Sequence, residues 1–194
     1  MTPTFRPATL ADTSALAVLI DIAGDGMPNA MWRALAAPGQ STLEVGRARA
    51  RREEGGFSYC NAVVAEVAGE VAACLVGYRL DDPYQLPDFA DLPDLVRPLV
   101  TLEAKAPGSW YVNVLATFAE FRGQGIGAGL LRAAEAEGRK GNAPAMSIIV
   151  GSWNAGAARL YQRAGYVDVA REPAILPPGF SHKGDWVLMV RSLG

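Results

Sequence analysis

Two cysteines and one histidine are all that 194 residues hold. So small a stock excludes a disulfide framework and a histidine-rich metal centre. No close cluster of cysteine, histidine and carboxylate stands out, and no metal is expected. Cys60 and Cys74 lie in neighbouring apolar runs, SYCNAVVAEV and EVAACLVGYRL, joined by Ala68-Gly69. A two-residue hairpin turn there sets Val63 opposite Cys74 and Cys60 opposite Gly77. The sulfurs then face opposite sides of a sheet, so a reduced compartment fits. A basic excess is missing too. The net charge of −2 offers no field for nucleic acid. No apolar run is long enough to span a bilayer. The opening MTPTFRPATLADTSALAVLI carries an acid inside its apolar run, unlike a signal peptide. The expectation is a cytoplasmic protein with neither membrane nor nucleic-acid partner. A homodimer is compatible with it.

What is present is ordinary globular composition, half hydrophobic and one fifth charged. A chain of this length can bury one sizeable core, so residues 1–194 are expected to form a single domain. TFRP, residues 4–7, reads as a strand. Thr9-x-x-Asp12 is a capping box before the periodic run ALAVLI, which predicts a helix to about Ile22. DIAGDGMPNAMW reads as turn. Ser41-x-x-Glu44 opens a second helix through RARARREE, stopped by Gly55-Gly56, with its arginines on a solvated face. The hairpin of 57–80 follows. The acid- and proline-rich connection after it reads as a long connection with one or two helical turns leading to Glu103, and Pro98 is expected to break or kink any helix there. SWYVNVLAT is a strand, AGLLRAAEAEGRK a helix, AMSIIV a buried strand and NAGAARLYQRAG a helix. YVDVARE and DWVLMVR close the chain as strands. The order of elements is α/β.

Between the strand SWYVNVLAT and its helix stands RGQGIG, residues 122–127. Helix N-termini leave N–H groups unpaired and carry partial positive charge. Glycine lets the backbone turn tightly and approach a ligand. The combination is an anion site, with phosphate its usual occupant. Gly123-x-Gly125-x-x-Ala128 also fits the loose dinucleotide pattern, but NAPAMSIIVGS lacks the ribose-binding acid that pattern needs. The Walker pattern fails, because no Gly-Lys-Ser/Thr follows.

SWYVNVLATFAEFRGQGIGAGLL resembles the coenzyme A motif of the GNAT acyltransferase superfamily, through Arg122-x-x-Gly125-x-Gly127. About thirty residues on, NAGAARLYQRAGY resembles that family's second motif, and FRPATLADTSALAVLI its first strand and helix. The resemblance implies a mixed, twisted sheet, splayed open beside the glycine turn and flanked by helices. It implies acetyl-CoA as acetyl donor. The main chain of Leu115, Ala116 and Thr117 would pair with the pantetheine arm. The amides of Arg122, Gly123, Gln124, Gly125, Ile126 and Gly127 would take the pyrophosphate, and Asn154 would contact the coenzyme arm. Tyr161 would give a proton to the departing thiolate. The acceptor would be an amine of a small molecule or peptide, attacking directly in a ternary complex.

The residues themselves bear on those roles. Asn154 and Tyr161 are seven apart, on one helix face two turns apart. A phenol can donate a proton and recover it, although most helical tyrosines are packing residues. A general base is harder to find. Many family members carry a glutamate nine residues ahead of the leading arginine, where this chain has Asn113, or five before the asparagine, where it has Ile149. Glu103 is the remaining candidate, as base or as binding carboxylate; the alternative is a solvent-facing helix carboxylate. A catalytically weak acetyl-CoA-binding module is the other functional reading, and a dinucleotide oxidoreductase the third. His182 and the acids Asp81, Asp82, Asp88, Asp91 and Asp94 could border an acceptor pocket or merely face solvent.

Overall fold

The strand order follows from which runs can pair and which need a crossover. The structure, a computed structural model, describes residues 2–194. Its strands are β1 (Thr4–Pro7), β2 (Ala62–Val67), β3 (Glu70–Arg79), β4 (Trp110–Thr117), β5 (Ala145–Gly151), β6 (Val167–Pro173) and β7 (Asp185–Ser192). Its helices are α1 (Thr13–Ala23), α2 (Met27–Arg33), α3 (Thr42–Ala50), α4 (Arg97–Glu103), α5 (Ile126–Lys140) and α6 (Ala155–Arg163). Among the described residues the strands form a mixed sheet in the order β1-β2-β3-β4-β5-β7-β6. β4 and β5 are parallel, joined by α5, while β1-β2, β2-β3, β5-β7 and β6-β7 are antiparallel. The β4–β5 ladder covers only Trp110–Val112 with Met146–Ile148, although both strands run on. This is the expected splayed α/β sheet. The chain divides into two compact units.

The first unit runs to Tyr78 and adds Asn113–Ala134. On α1, Leu16, Leu19 and Ile20 repeat at helical spacing and are fully buried with Val64, Cys74, Val76 and Val114. Arg6 ties β1 to the start of α1. Its guanidinium donates to both Asp12 oxygens, at 2.8 and 3.0 Å, and to Glu66 Oε2 at 2.9 Å. The amide and hydroxyl of Thr9 add bonds of 2.7 and 2.9 Å to Asp12 Oδ2. The Arg6 hydrogen bond, ahead of all opposing burial, holds the Asp12 carboxyl at about 2.

Three expectations about the elements of this unit are corrected. DIAGDGMPNAMW contains α2, because Pro28 sits in the first turn, where its missing N–H costs nothing. The helix after Ser41 stops at Ala50, well before Gly55. The hairpin does turn at Ala68-Gly69, with Val67 opposite Glu70 and φ of 53° and 84°. Its register then slips at a bulge: Glu66 faces Val71 but Ala65 faces Ala73, so Cys74 stands opposite Val64 rather than Val63. The extra residue is Ala72, whose carbonyl accepts the Phe118 amide at 2.9 Å. Cys60 lies outside the strand, exposed in a 3₁₀ turn. Cys74 is fully buried, and burial pushes its thiol up to about 12.

The second unit holds Arg79–Val112 and Glu135–Gly194. The fourth correction lies here. Pro98 begins α4 rather than breaking it, again within the first helical turn. Two loops are clamped by Arg79, whose Nε reaches the Gly108 carbonyl at 3.2 Å and whose NH1 reaches that of Gly141 at 2.7 Å. Leu102, Met146, Leu188 and Met189 are its most deeply buried side chains.

Candidate functional site

The glycine turn is built by the end of β4. The Phe118–Ala72 bond closes that strand, and a 3₁₀ turn, Ala119–Phe121, reverses the chain. Arg122 is extended, at φ −68° and ψ 159°. Its amide donates to the Ala119 carbonyl at 3.3 Å and its Nε to the Thr117 carbonyl at 3.1 Å. The Arg122 side chain therefore braces the turn. Gly123 and Gly125 follow at φ +76° and +77°, a region that side chains disfavour. A Cβ added to either would meet nothing within 4 Å. The space beside both is open.

From Gly123 to Gly127, and on to Ala128, the amides have no hydrogen-bond partner among the described residues; the first bond of α5 is Gly129 to the Gly125 carbonyl, at 3.1 Å. Six successive unpartnered amides at the start of a four-turn helix make an electropositive backbone site. That donor set fits a pyrophosphate. Ile126, buried at 2% exposure, anchors the turn to the unit beneath. Leu115 and Thr117 are half-buried and Ala116 is buried, all on β4 in the same unit.

The second unit carries the other candidates. Asn154 caps α6: its Oδ1 accepts the Ala157 amide at 3.0 Å. Its side-chain amide nitrogen has no partner within the unit. The far end of α6 closes in a Schellman motif. The Gly165 amide donates to the Gln162 carbonyl and the Tyr166 amide to the Tyr161 carbonyl, each at 3.0 Å, with Gly165 at φ +89°. The rings of Tyr161 and Tyr166 pack 6.1 Å apart across that motif. Tyr161 is 5% exposed, and its hydroxyl has no hydrogen-bond partner within the unit. Burial first, then the neighbouring Tyr166, push its phenol above the ordinary value. It stays protonated through neutral pH.

Glu103 is the last residue of α4 and is half-buried, not solvent-facing. The Tyr84 hydroxyl donates to its Oε2 at 2.7 Å, and Tyr111 of β4 supplies a second side-chain hydrogen bond. Burial raises its carboxyl pKa and these two bonds oppose the rise; burial prevails. Tyr84 is the neighbour outside both motifs, while Tyr111 and Tyr166 stand inside the quoted runs with no site role given to them. Tyr111 left a trace two residues before Asn113 on an alternating strand, and Tyr166 as the aromatic after Gly165. The two positions where relatives carry an acid, Asn113 and Ile149, are half-buried on β4 and β5. His182 is exposed and stacks on Trp153, with ring centroids 5.4 Å apart and planes 7° from parallel. The acids Asp81, Asp82, Asp88, Asp91 and Asp94 are exposed. Among the described residues no group of three or more His, Cys, Asp or Glu could hold a metal ion, and no helix is long and apolar enough to cross a membrane.

Solved structures share this fold. One described as an acetyltransferase superposes with a TM-score of 0.69 at 22% identity, covering 98% of this chain and 100% of its own. An N-acetyltransferase from Staphylococcus aureus Mu50 gives 0.69 at 21% identity, covering 96% of this chain and 99% of that one. The yncA protein of Salmonella typhimurium, solved with its cofactor acetyl-CoA, gives 0.59 at 20% identity, covering 100% and 95%. No curated protein sequence matches. The profile of the Acetyltransferase (GNAT) family matches residues 29–166, from α2 through the end of the Schellman motif. With most of the chain matched, glycine turn included, the protein belongs to the GNAT acetyltransferase family.

Proposed function

We propose that this protein is an acetyl-CoA-dependent N-acetyltransferase that acts on an amine of a small molecule or peptide. The observation that carries the reading is the run of unpartnered amides, Gly123 to Gly127, at the mouth of α5 in a chain of this family. These amides bind the pyrophosphate. Charge-assisted hydrogen bonds contribute about 1.5–3 kcal/mol each, so the turn dominates coenzyme affinity. The main chain of Leu115, Ala116 and Thr117 lies along the pantetheine arm, and the side-chain amide of Asn154 is a further donor to it. When bound, acetyl-CoA supplies an activated acetyl thioester.

The chain's own groups handle the protons. An alkylammonium has a pKa near 10.4 and must become neutral before it attacks. Glu103 takes that proton, or holds the cationic amine while water takes it. As the C–N bond forms and the C–S bond breaks, Tyr161 gives its phenolic proton to the sulfur, and the second proton lost from the nitrogen restores the phenol through solvent. Its burial keeps that proton in place until it is needed. Cys74 is sealed in the core, and Cys60 sits in a turn outside both motifs, so direct attack in a ternary complex is favoured over an acyl-cysteine.

The test is thiol release from acetyl-CoA with a panel of amines: a peptide with a free α-amine, an Nα-blocked lysine peptide, spermidine and a small arylalkylamine. Amine-dependent release that saturates in both substrates is expected. Asn113 and Ile149, at the familiar acid positions, favour a second reading, a weakly catalytic acetyl-CoA-binding module. Thermal protection by acetyl-CoA with no turnover on any amine would select it.

A further inference from the structure

The Glu103 carboxylate is held from two directions by phenols, which is an unusual setting for a helix-terminal acid. Tyr84 comes from the irregular connection between β3 and α4 and donates at 2.7 Å. Tyr111 comes from β4 and is 4% exposed. The carboxylate ends a helix, where the dipole opposes negative charge. It has no ion-pair partner among the described residues. The nearby cations are engaged elsewhere: Lys105 with Glu172 of β6 at 2.7 Å, and Arg97 with Asp94 at 2.9 Å. Strand alternation puts Tyr111 and Asn113 on the same face of β4. The acid missing from position 113 thus has a carboxylate held by the residue two places earlier on that face.

We propose that Tyr84 and Tyr111 are the positioning residues of Glu103, fixing its carboxylate from the β3–α4 connection and from β4 in place of the acid absent at Asn113. This rests on the acceptor-side role of Glu103 given above. Two donors stabilise the ionised form of an acid whose pKa burial raises. They also fix its orientation, because both oxygens cannot turn freely while two phenols hold them. In the transfer, one ammonium proton goes to Glu103, the C–N bond forms, the C–S bond breaks and the sulfur leaves with the Tyr161 proton, which the second nitrogen proton replaces through solvent. Tyr84 and Tyr111 keep their own protons throughout. Tyr84 further makes the reaction sensitive to the connection that carries it.

The experiment is carbon-detected titration of ¹³C-labelled glutamate carboxyls in the full ligand-free chain, with Glu103 assigned by its loss in Glu103→Gln. Tyr84→Phe and Tyr111→Phe each remove one oxygen atom, and the amide spectrum checks that each is folded. In both variants the Glu103 midpoint moves to higher pH, while the other glutamates stay in place. An unmoved midpoint in a folded variant overturns the assignment for that tyrosine. A second readout uses acetyl-CoA with the amine that the panel selects. The acidic limb of the kcat/KM profile moves to higher pH in Tyr84→Phe and gives way in Glu103→Gln to a rise that follows the amine's own ionisation; a limb left at its native position in Tyr84→Phe overturns the positioning role. If no amine in the panel is acetylated, the proposed activity fails, and the carboxyl titration still decides the role of the two tyrosines.

Discussion

The amide of Tyr166 donates to the carbonyl of Tyr161 at 3.0 Å, and the two rings pack 6.1 Å apart at 54°. One helix stop therefore fixes the backbone of the candidate acid and one wall around its ring. Among the described residues the ring has packing contacts, and no hydrogen-bond partner of the phenol is found in its unit. Removing the hydroxyl should thus leave the fold intact. Tyr161→Phe is expected to lower turnover by roughly 10²–10⁴, with acetyl-CoA affinity nearly native. Single-turnover rates measure the first and calorimetry the second. Native single-turnover rates in the variant would reduce Tyr161 to a packing residue.

The glycine turn can be tested without touching the core. Gly125→Asp introduces a negative charge into open space at φ +77°. Aspartate tolerates that conformation better than most residues, so the strain is about 1 kcal/mol. The melting temperature should fall little while acetyl-CoA binding is lost. Retained affinity by calorimetry would remove the pyrophosphate from this turn.

Glu103 also leaves a mark on stability. Its carboxyl pKa is raised in the folded chain, chiefly by burial. The folded state therefore holds the proton more tightly than the unfolded one. The stabilisation this gives is complete below the ordinary glutamate value of about 4.3 and is lost as pH rises through the folded value. Glu103→Gln, which cannot ionise, should gain stability relative to the native chain over that rise. Denaturant melts on either side of it, compared between the two proteins, measure the difference. A constant difference would mean the carboxyl titrates alike in both states.

The opposite sign is expected at Asp12. Its carboxyl is lowered to about 2 by Arg6. Its contribution is present above the ordinary aspartate range and disappears as pH falls from near 4 toward 2. Asp12→Asn keeps the shape and removes the charge, and should cost about 1.5–3 kcal/mol at neutral pH. The cost should shrink in acid. Urea midpoints at pH 7 and pH 3 give the comparison, and an equal loss at both would rule out a charge-based role.

The two thiols should separate cleanly. Cys60 is exposed, while Cys74 is fully buried with its thiol pushed up to about 12. Iodoacetamide at pH 8 should label Cys60 in the native chain and Cys74 only after unfolding. Peptide mapping reads the result. Rapid native labelling at Cys74 would mean the hairpin opens locally.

Much of this was legible in the sequence, and for local reasons. Capping boxes, a two-residue turn and a Gly-aromatic helix stop act over a few residues, so Thr9, Ser41, Ala68 and Gly165 can be read one stretch at a time. The glycine turn is likewise a local object: its amides are unpaired because of where a helix begins. What the sequence left undecided depends on partners far along the chain. The bulge at Ala72 follows a hydrogen bond from Phe118, forty-six residues on, and it shifted the register of Cys74 by one. Pro98 reads as a breaker because a proline's meaning depends on whether a helix starts before it. Glu103 carries the largest difference. Its spacing says only that an acid closes a short helix. That it is half-buried and held by Tyr84 and Tyr111 was set by folding the β3–α4 connection against β4, since desolvation and hydrogen bonding belong to a place in three dimensions and not to a position in the chain.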